Sequence, residues 1–378
     1  MHASSPYFDD THRLLRDTLR RFVDKEVRPQ ASAWEEQGFV PRQVLREMGR
    51  YGFLGLRYPE KYNGGGMNAL ATALLGEELG RSGFGGFAAT VLVHTDMASP
   101  HLMNAGSAAQ LERWMPGIVA GDLITAVAVT EPDAGSDVKS IRTGARRAGD
   151  GWLLRGTKMF ITNGALADLY FVAAKSDPAA GSKGVSMFAV QKGAAGFSVG
   201  RKLDKMGWRC SDTAELVFDD TPAELLGEEG RGFYAIMRNF QNERIALAAM
   251  AMGESQRALE LTLEYVKTRK AFGATLWDKQ AVRQRLAELA ARIEAGRELV
   301  YRAAWLDAQR ADCVKEVSMA KAYCGELVNE VAYDCLQFHG GAGYLRESEI
   351  ERMYRDARVH SIGGGATEVM LEEVAKRL

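Results

Sequence analysis

The segment from Val129 to Asp137, which reads VTEPDAGSD, is a dense group of small and polar residues. β-Prone residues lead directly into it, so we expect a strand that ends in a tight loop. Such a loop would present several backbone N–H groups and the hydroxyls of Thr130 and Ser136 to one point, which suits a phosphate or the polar edge of a heterocycle. An ordinary Asx-type turn has the same composition, so this segment alone leaves both interpretations open.

A second segment, Lys158 to Gly164, alternates like a half-buried strand. Alternation would place Phe160 and Thr162 on one face, an aromatic ring beside a hydroxyl donor. That pair could flank a planar ligand, and a purely structural strand would have the same sequence.

Two further clusters occur where helical patterns end. Arg269 to Gly273 (RKAFG) joins two cations to an aromatic residue and a glycine, which is typical either of a helix C-terminus or of a pyrophosphate clamp with an aromatic shelf. Gln337 to Tyr344 (QFHGGAGY) combines an amide with a glycine cluster, again either a helix cap or a place of close ligand approach.

A run of three glycines, Gly363 to Gly365, precedes the last short helical pattern. Free backbone N–H groups in front of a helix can bind a carbonyl oxygen or an anion. A flexible linker would look the same.

The composition limits the classes of function. The chain has 378 residues, and its 48 Lys+Arg and 49 Asp+Glu leave a formal charge of -1, so no chain-wide basic field exists to hold a nucleic acid or an anionic membrane. The longest apolar run, Ile245 to Met252, is far shorter than the roughly 20 residues of a spanning helix, and Met1 to Asp10 lacks the regions of a secretory signal. We expect a cytoplasmic protein with no integral membrane segment and no nucleic-acid partner.

The four cysteines show no C-x-x-C spacing, so we expect reduced thiols that pack in the interior and no metal site. They are Cys210, Cys313, Cys324 and Cys335.

Hydrophobic periodicity of 3.6 predicts helices up to about residue 120. The predicted stretches are Thr11–Val27, which Pro29 ends, one that Pro41 opens, Asn68–Leu79, Phe84–Met103, and one with a capping box at Ser107 and Gln110.

The period then changes to two, and from about residue 232 it becomes helical again. The β-prone runs are Leu123–Val129, Trp152–Leu154, Lys158–Thr162, Leu169–Ala174, Val185–Val190, Phe197–Val199 and Ala214–Phe218. No connection between them is long enough for a crossover helix, so we expect an antiparallel sheet. The later helices are predicted near 233–268, 280–310, 314–338 and after Ala366, as in an antiparallel bundle. The sequence thus predicts an α+β chain with domains at 1–121, 122–230 and 231–378.

In this order, the segments resemble the acyl-CoA dehydrogenase family of flavoproteins over nearly the whole chain. The matching stretches are Val129–Asp137, Lys158–Gly164, Arg201–Gly207, Leu226–Phe233, Tyr265–Gly273, Val331–Tyr344 and Arg355–Met370. The resemblance implies an N-terminal helical domain, a middle antiparallel β domain and a C-terminal four-helix bundle, with FAD between the last two in a homotetramer. It also implies oxidation of an acyl-CoA, with electrons passed to an electron-transfer flavoprotein.

The resemblance assigns roles position by position. The implied FAD contacts are Val129, Thr130, Gly135, Ser136, Phe160, Thr162, Arg269, Phe272, Gln280, Gln337, Gly340, Gly341, Thr367 and Glu368. Those from Arg269 to Gly341 would reach the FAD of a neighbouring subunit. The implied acyl-CoA contacts are Ser136, Tyr234, Arg244, Gly364 and Gly365.

The catalytic base departs from the commoner pattern of the family. Many members carry a glutamate at the position of Gly364, which here has no side chain. Gln241 to Ile245 (QNERI) instead resembles the long-chain and isovaleryl-type members, whose base lies on a bundle helix, so Glu243 inherits the role. A solvated or arginine-paired glutamate near a helix start is the plain alternative. The backbone N–H of Gly364 matches the family's donor to the thioester oxygen, while Gly363 and Ala366 replace a common tyrosine and threonine.

The implied reaction forms a trans-2-enoyl-CoA: Glu243 removes the α-proton and flavin N5 accepts the β-hydride. Two alternatives stay open, an acyl-CoA oxidase-like or nitroalkane oxidase-like enzyme that uses oxygen, and a non-catalytic acyl-CoA or flavin-binding protein. The length and branching of the acyl group, and whether its carrier is CoA, stay open as well.

Overall fold

The computed structural model describes residues 5–378. Its first part is helical, as predicted. The helices are α1 (Asp10–Phe22), α2 (Arg28–Gln37), α3 (Arg42–Arg50), α4 (Ala69–Gly80), α5 (Gly85–Leu92), α6 (Ser99–Ala105) and α7 (Ala108–Ala120). Asn68 caps α4 through its side chain, and Ser107 with Gln110 forms the predicted capping box of α7.

Pro29 does not end the first helix, contrary to the prediction. A single π-helical turn, Val23–Val27, leads directly into α2, and Pro29 occupies the first turn of that helix. A proline is tolerated there because the N–H groups of a first turn have no intrahelical partner. The chain therefore stays helical to Gln37.

The middle part is a seven-stranded sheet. Its strands are β1 (Thr125–Ala128), β2 (Gly144–Ala148), β3 (Gly151–Thr162), β4 (Leu169–Lys175), β5 (Val185–Gln191), β6 (Phe197–Lys202) and β7 (Thr213–Leu226). Most neighbours are antiparallel, but β1 pairs in parallel with β4, Thr125 opposite Leu169. The expectation of a wholly antiparallel sheet was wrong in this detail. A connection between parallel strands need not contain a helix, because here the hairpin of β2 and β3 connects β1 to β4.

Two predicted strands, Trp152–Leu154 and Lys158–Thr162, are one strand, β3. Its register against β7 shifts twice, after Leu154 and after Lys158, and Phe160 lies in the second irregularity with a φ of 59°. Simple alternation therefore fails there, and the bulge turns the Phe160 ring outward.

The last part is helical. Its long helices are α8 (Gly232–Thr268), α9 (Gln280–Ala308) and α10 (Val314–His339), followed by the short α11 (Glu349–Ala357) and α12 (Thr367–Ala375). The long helices agree closely with the predicted spans, whereas α11 and β2 were not predicted. A two-stranded ribbon of β8 (Lys270–Ala271) and β9 (Ala274–Thr275) joins α8 to α9.

Apolar side chains of α8 contribute to three hydrophobic cores, one of which contains Ile236. Ala246 and Met250 lie in a core shared with the N-terminal helices and the sheet, while Ile245 and Met252 lie in the core between α8, α9 and α10. All four cysteines are buried and unpaired. No helix within residues 5–378 is long and apolar enough to cross a membrane.

Candidate active site

Glu243 lies in the third turn of α8, on a side of the helix that is only partly exposed. Burial raises the pKa of its carboxyl group to about 7, although the positive charges of Arg244 and Lys321 act in the opposite direction. A carboxylate with this proton affinity can accept and return a proton near neutral pH.

The glycine run brings Gly364 beside this carboxylate. A Cβ atom built on Gly364 would lie 3.2 Å from Glu243 Oε1 and would overlap Leu247 Cδ1. The φ of Gly364 is 62°, in the left-handed region that a residue with a side chain adopts only at a cost. The carboxylate of Glu243, the predicted base on α8, therefore lies beside Gly364, the loop position that carries the base in many members of the resembling family.

The glycine run also presents unused donors. Among the residues that the structure describes, the backbone N–H groups of Gly364 and Gly365 donate no hydrogen bond. The loop is fixed at both ends, because the Lys321 ammonium group donates to His360 O and Gly365 O. These N–H groups are therefore available to a ligand at a defined place.

The Arg244 side chain packs against the glycine run at Gly365. Its side chain is buried, its Nε has no hydrogen-bond partner in the described part of the chain, and it lies 3.4 Å from a Cβ built on Gly365. The guanidinium group also lies over the Phe240 ring, 5.6 Å from its centroid. Arg244 supplies a fixed positive charge beside the Glu243 carboxylate.

The predicted loop after β1 is held by a buried ion pair that our sequence analysis did not single out. Lys158 Nζ donates to Glu131 Oε1 at 2.7 Å and to Val129 O at 2.9 Å, and Lys158 is wholly buried. The Glu131 carboxylate also accepts the backbone N–H groups of Arg142 and Thr143. A lysine on the inward face of a strand is the sequence signal that could have revealed this pair.

The loop itself is tight and open to solvent. Glu131 and Ala134 exchange two backbone hydrogen bonds, and beyond them Gly135 and Ser136 are exposed. A Cβ built on Gly135 would meet no atom within 4 Å. A ligand can therefore approach this backbone closely.

The strand β3 lies alongside this loop. The backbone N–H of Met159 donates to Thr130 O at 2.9 Å, which places Thr130 next to the bulge of β3. The Phe160 ring is 65% exposed, and Thr162 is partly exposed. The structure therefore brings Val129, Thr130 and the bulge of β3 together.

A second group of predicted contacts lies at the far end of α8. At the helical rise of roughly 1.5 Å per residue, Arg269 is about 39 Å from Glu243 along the axis of α8. Phe272, at the tip of the β8–β9 ribbon, has a φ of 54° and is 96% exposed. Gln280 is exposed at the start of α9.

The end of α10 lies beside this second group. The rings of Tyr265 and His339 stack with centroids 4.4 Å apart, so the last turns of α8 and α10 are in contact. Gln337, Gly340 and Gly341 follow at the surface, and Cβ atoms built on both glycines would meet nothing within 4 Å.

Three remaining candidates lie elsewhere on the helical part. Thr367 opens α12 and donates to Glu326 Oε1 at 2.6 Å, and Glu368 next to it is exposed. Tyr234, in the first turn of α8, is half-exposed beneath the Arg231 guanidinium group.

The loop after β1 and the bulge of β3 together fit a flavin. An exposed aromatic ring on a bulge, neighbouring hydroxyl donors and an open glycine-containing loop are the features that a planar, hydrogen-bonding ring needs. Among residues 5–378 Arg269 makes hydrogen bonds only through its backbone, and the Phe272 ring is exposed, which fits a diphosphate and an adenine. Arg269 and Phe272 lie at the opposite end of α8 from Glu243, so this second group is separate from the Glu243 carboxylate.

Comparisons with known proteins identify the family of this chain. Family models for the N-terminal, middle and C-terminal domains of acyl-CoA dehydrogenases match residues 9–122, 126–221 and 230–378. The long-chain specific acyl-CoA dehydrogenase of Mus musculus mitochondria is 42% identical over 376 residues, 98% of this chain and 87% of the mouse protein.

Solved structures of other proteins also resemble this chain over nearly its whole length. An acyl-CoA dehydrogenase from Geobacillus kaustophilus superposes with a TM-score of 0.95 at 40% identity, covering 99% of each chain. A chain from a structure described as the electron transferring flavoprotein of Acidaminococcus fermentans superposes with a TM-score of 0.95 at 34% identity, covering 98% of each chain. This chain therefore belongs to the acyl-CoA dehydrogenase family of FAD-dependent oxidoreductases.

Proposed function

We propose that the chain oxidises an acyl-CoA thioester to the trans-2-enoyl-CoA, with Glu243 as the base that removes the α-proton. The observation that carries this proposal is the distance of 3.2 Å between Glu243 Oε1 and a Cβ built on Gly364. The carboxylate of Glu243 on α8 therefore lies close to the place where a side chain at Gly364 would begin.

The residues of the chain would divide the work as follows. The Glu243 carboxylate would accept the α-proton of the substrate. Burial raises the pKa of this carboxyl group, which gives it the proton affinity for this step. The backbone N–H of Gly364 donates to the thioester oxygen, where negative charge develops. Ser136, Tyr234 and Gly365 would contact the substrate, and Arg244 would keep the pKa of Glu243 from rising further. Bound FAD would supply a hydride acceptor.

The rate should depend on pH through Glu243. A base acts when deprotonated, so the rate constant of anaerobic flavin bleaching by an acyl-CoA should rise with pH through a midpoint near 7 and level off above it. Stopped-flow bleaching in overlapping buffers, with the FAD content checked at each pH, measures this curve. A profile without an inflection near neutral pH would contradict the assignment.

The acyl group is best identified by titration. The purified, FAD-loaded protein is titrated without oxygen with acyl-CoAs of four to sixteen carbons and with isovaleryl-CoA, and the loss of flavin absorbance is followed. The name of the mouse relative makes the long-chain thioesters the first to test. Failure of every thioester to bleach the flavin would favour a non-catalytic binding protein.

We further propose a homotetramer in which Arg269, Phe272 and Gln280 contact the FAD of a neighbouring subunit, as do Gln337, Gly340 and Gly341. The separation of about 39 Å along α8 supports this proposal, because the two groups of one chain would then belong to two different cofactor sites. Thr367 and Glu368 would contact the adenosine side.

Arg269→Ala should therefore weaken FAD binding by more than about 1 kcal/mol, the usual loss for a charge-assisted hydrogen bond. The measurement is FAD affinity by fluorescence titration of the apoprotein, with Arg310→Ala as the control for removing an exposed arginine. Retention of full FAD by monomers at nanomolar concentration would rule out the contribution of a second subunit.

An electron-transfer flavoprotein is the proposed acceptor, supported by the similarity to the Acidaminococcus fermentans structure. Rapid formation of peroxide in air, with no carrier present, would instead favour an oxidase. We keep the domain limits 1–121, 122–230 and 231–378 and the cytoplasmic location as predictions, which limited proteolysis and cell fractionation would test.

A further inference from the structure

Lys321, in the first turns of α10, is a buried lysine that the proposed reaction does not use. Only 2% of its surface is exposed. Its ammonium group donates to His360 O at 2.6 Å and to Gly365 O at 3.0 Å. These two carbonyl groups lie at the two ends of the segment that contains Gly364, so one side chain spans the segment.

The start of this segment is held a second time. The His360 ring is 2.9 Å from Glu254 Oε2, and both side chains are buried. Glu254 lies three turns beyond Glu243 on α8, about 16 Å along the axis and on nearly the same face. A Cβ built on Gly325 of α10 would lie 2.8 Å from His360 O, so α10 packs closely here.

The middle of the segment has no comparable support. Gly363 donates its backbone N–H to Val359 O, whereas those of Gly364 and Gly365 have no acceptor in the described part of the chain. Three successive glycines would allow many backbone conformations without a restraint at the C-terminal end. The hydrogen bond from Lys321 to Gly365 O provides that restraint.

We propose that Lys321 is a positioning residue, which holds the segment from His360 to Gly365 so that the Gly364 N–H lies beside Glu243 and adds positive charge at that carboxylate. The inference rests on the proposed function of Glu243 and goes beyond it. Lys321 contacts neither the substrate nor the cofactor in this scheme.

The charges around the two groups fit this role. Burial lowers the pKa of Lys321 to about 8, while Glu243, Cys324 and Glu326 favour its charged form and Arg244 opposes it. Within residues 5–378, the positive charges of Arg244 and Lys321 both lower the pKa of Glu243, against the effect of burial. Glu373 and Arg377 act on Arg244 from α12 and the residues after it.

Removal of the Lys321 charge should therefore raise the pKa of Glu243. At a given pH below the plateau, a smaller fraction of Glu243 would be deprotonated, so the pH–rate curve should move to higher pH. Loss of the restraint on Gly365 should lower the plateau itself, because a displaced donor no longer meets the thioester oxygen.

The test uses the FAD-loaded protein with Lys321→Met, which keeps the length of the side chain, and Lys321→Gln, which keeps a donor without the charge. Lys315→Met, on the same helix, is the matched control. For Lys321→Met we expect FAD to stay bound, the plateau rate of anaerobic bleaching to fall about 10- to 100-fold, and the midpoint to move to higher pH. Lys321→Gln should regain part of the plateau rate and keep the shifted midpoint.

Hydrogen exchange gives a readout that does not depend on activity. Peptides covering residues 360–366 should exchange faster in Lys321→Met than in the wild type and in Lys315→Met. A variant with the wild-type plateau, midpoint and exchange would overturn the inference, as would a loss of thermal stability without a shift of the midpoint. If Lys321→Met does not fold, Lys321→Gln decides by the shift of its midpoint.

Glu243→Gln measured in parallel separates the two proposals. If Glu243→Gln bleaches its flavin at the wild-type rate, the proposed function is wrong. If Glu243→Gln is inactive while Lys321→Met behaves like the wild type, the proposed function stands and only the role of Lys321 falls.

Discussion

Glu243→Gln should bind FAD and acyl-CoA analogues normally and yet fail to reduce its flavin. Glutamine keeps the shape of the side chain but cannot accept the α-proton. Loss of a general base typically costs about 10² to 10⁴ in rate. In the proposed reaction the loss of the proton would be coupled to the departure of the hydride, so we expect the upper part of that range. Stopped-flow bleaching of the FAD-loaded protein by an acyl-CoA measures the loss.

The control for this variant is Glu264→Gln, an exposed glutamate on the same helix, which should bleach at the wild-type rate. Equal rates for Glu243→Gln and the wild type would remove Glu243 from the mechanism. Glu368 would then become the candidate base, or the protein would be a non-catalytic one.

Moving the carboxylate from α8 to the glycine run should restore part of the activity. Glu243→Gly removes the base, and Gly364→Glu introduces a new carboxylate on a side chain whose Cβ would lie 3.2 Å from the wild-type position of Glu243 Oε1. Two obstacles are visible. A side chain at Gly364 overlaps Leu247 Cδ1, and the φ of 62° costs about 1–2 kcal/mol for a residue other than glycine.

Leu247→Ala removes the first obstacle, so the triple variant should bleach its flavin at least roughly tenfold faster than Glu243→Gly, a fraction of what a well-placed base contributes. The matched control carries Gly364→Gln in the same background, because it has the same shape and no carboxylate. Equal rates of the two triple variants would show that this loop position does not reach the α-carbon in this protein.

Local patterns in the sequence were sufficient for most of the secondary structure. The spans of α8, α9 and α10 follow from an unbroken 3.6-residue period, and the start of α7 follows from the capping pair of Ser107 and Gln110. These features depend on residues within one or two helical turns of each other, which is why a single sequence reveals them. The order of the motifs was likewise enough to identify the family, as the comparisons confirmed.

Predictions from local sequence patterns were wrong where contacts with residues distant in the sequence, or the local helix geometry, decided the structure. Pro29 is accommodated because a π-helical turn places it in the first turn of α2. The parallel pairing of β1 with β4 depends on where a hairpin returns the chain. The bulge at Phe160 comes from the pairing of β3 with β7, and the local alternation gives no sign of it.

The relations within the candidate site came only from the tertiary structure. The resemblance linked Glu243 to Gly364 by role, but their approach in space results from the packing of α8 against the segment before α12. Lys321 lies within an ordinary helical pattern, and nothing local distinguishes it from a solvated lysine. Its burial and its two carbonyl partners arise when α10 packs against the glycine run, because an ammonium group withdrawn from water must find acceptors wherever the fold supplies them.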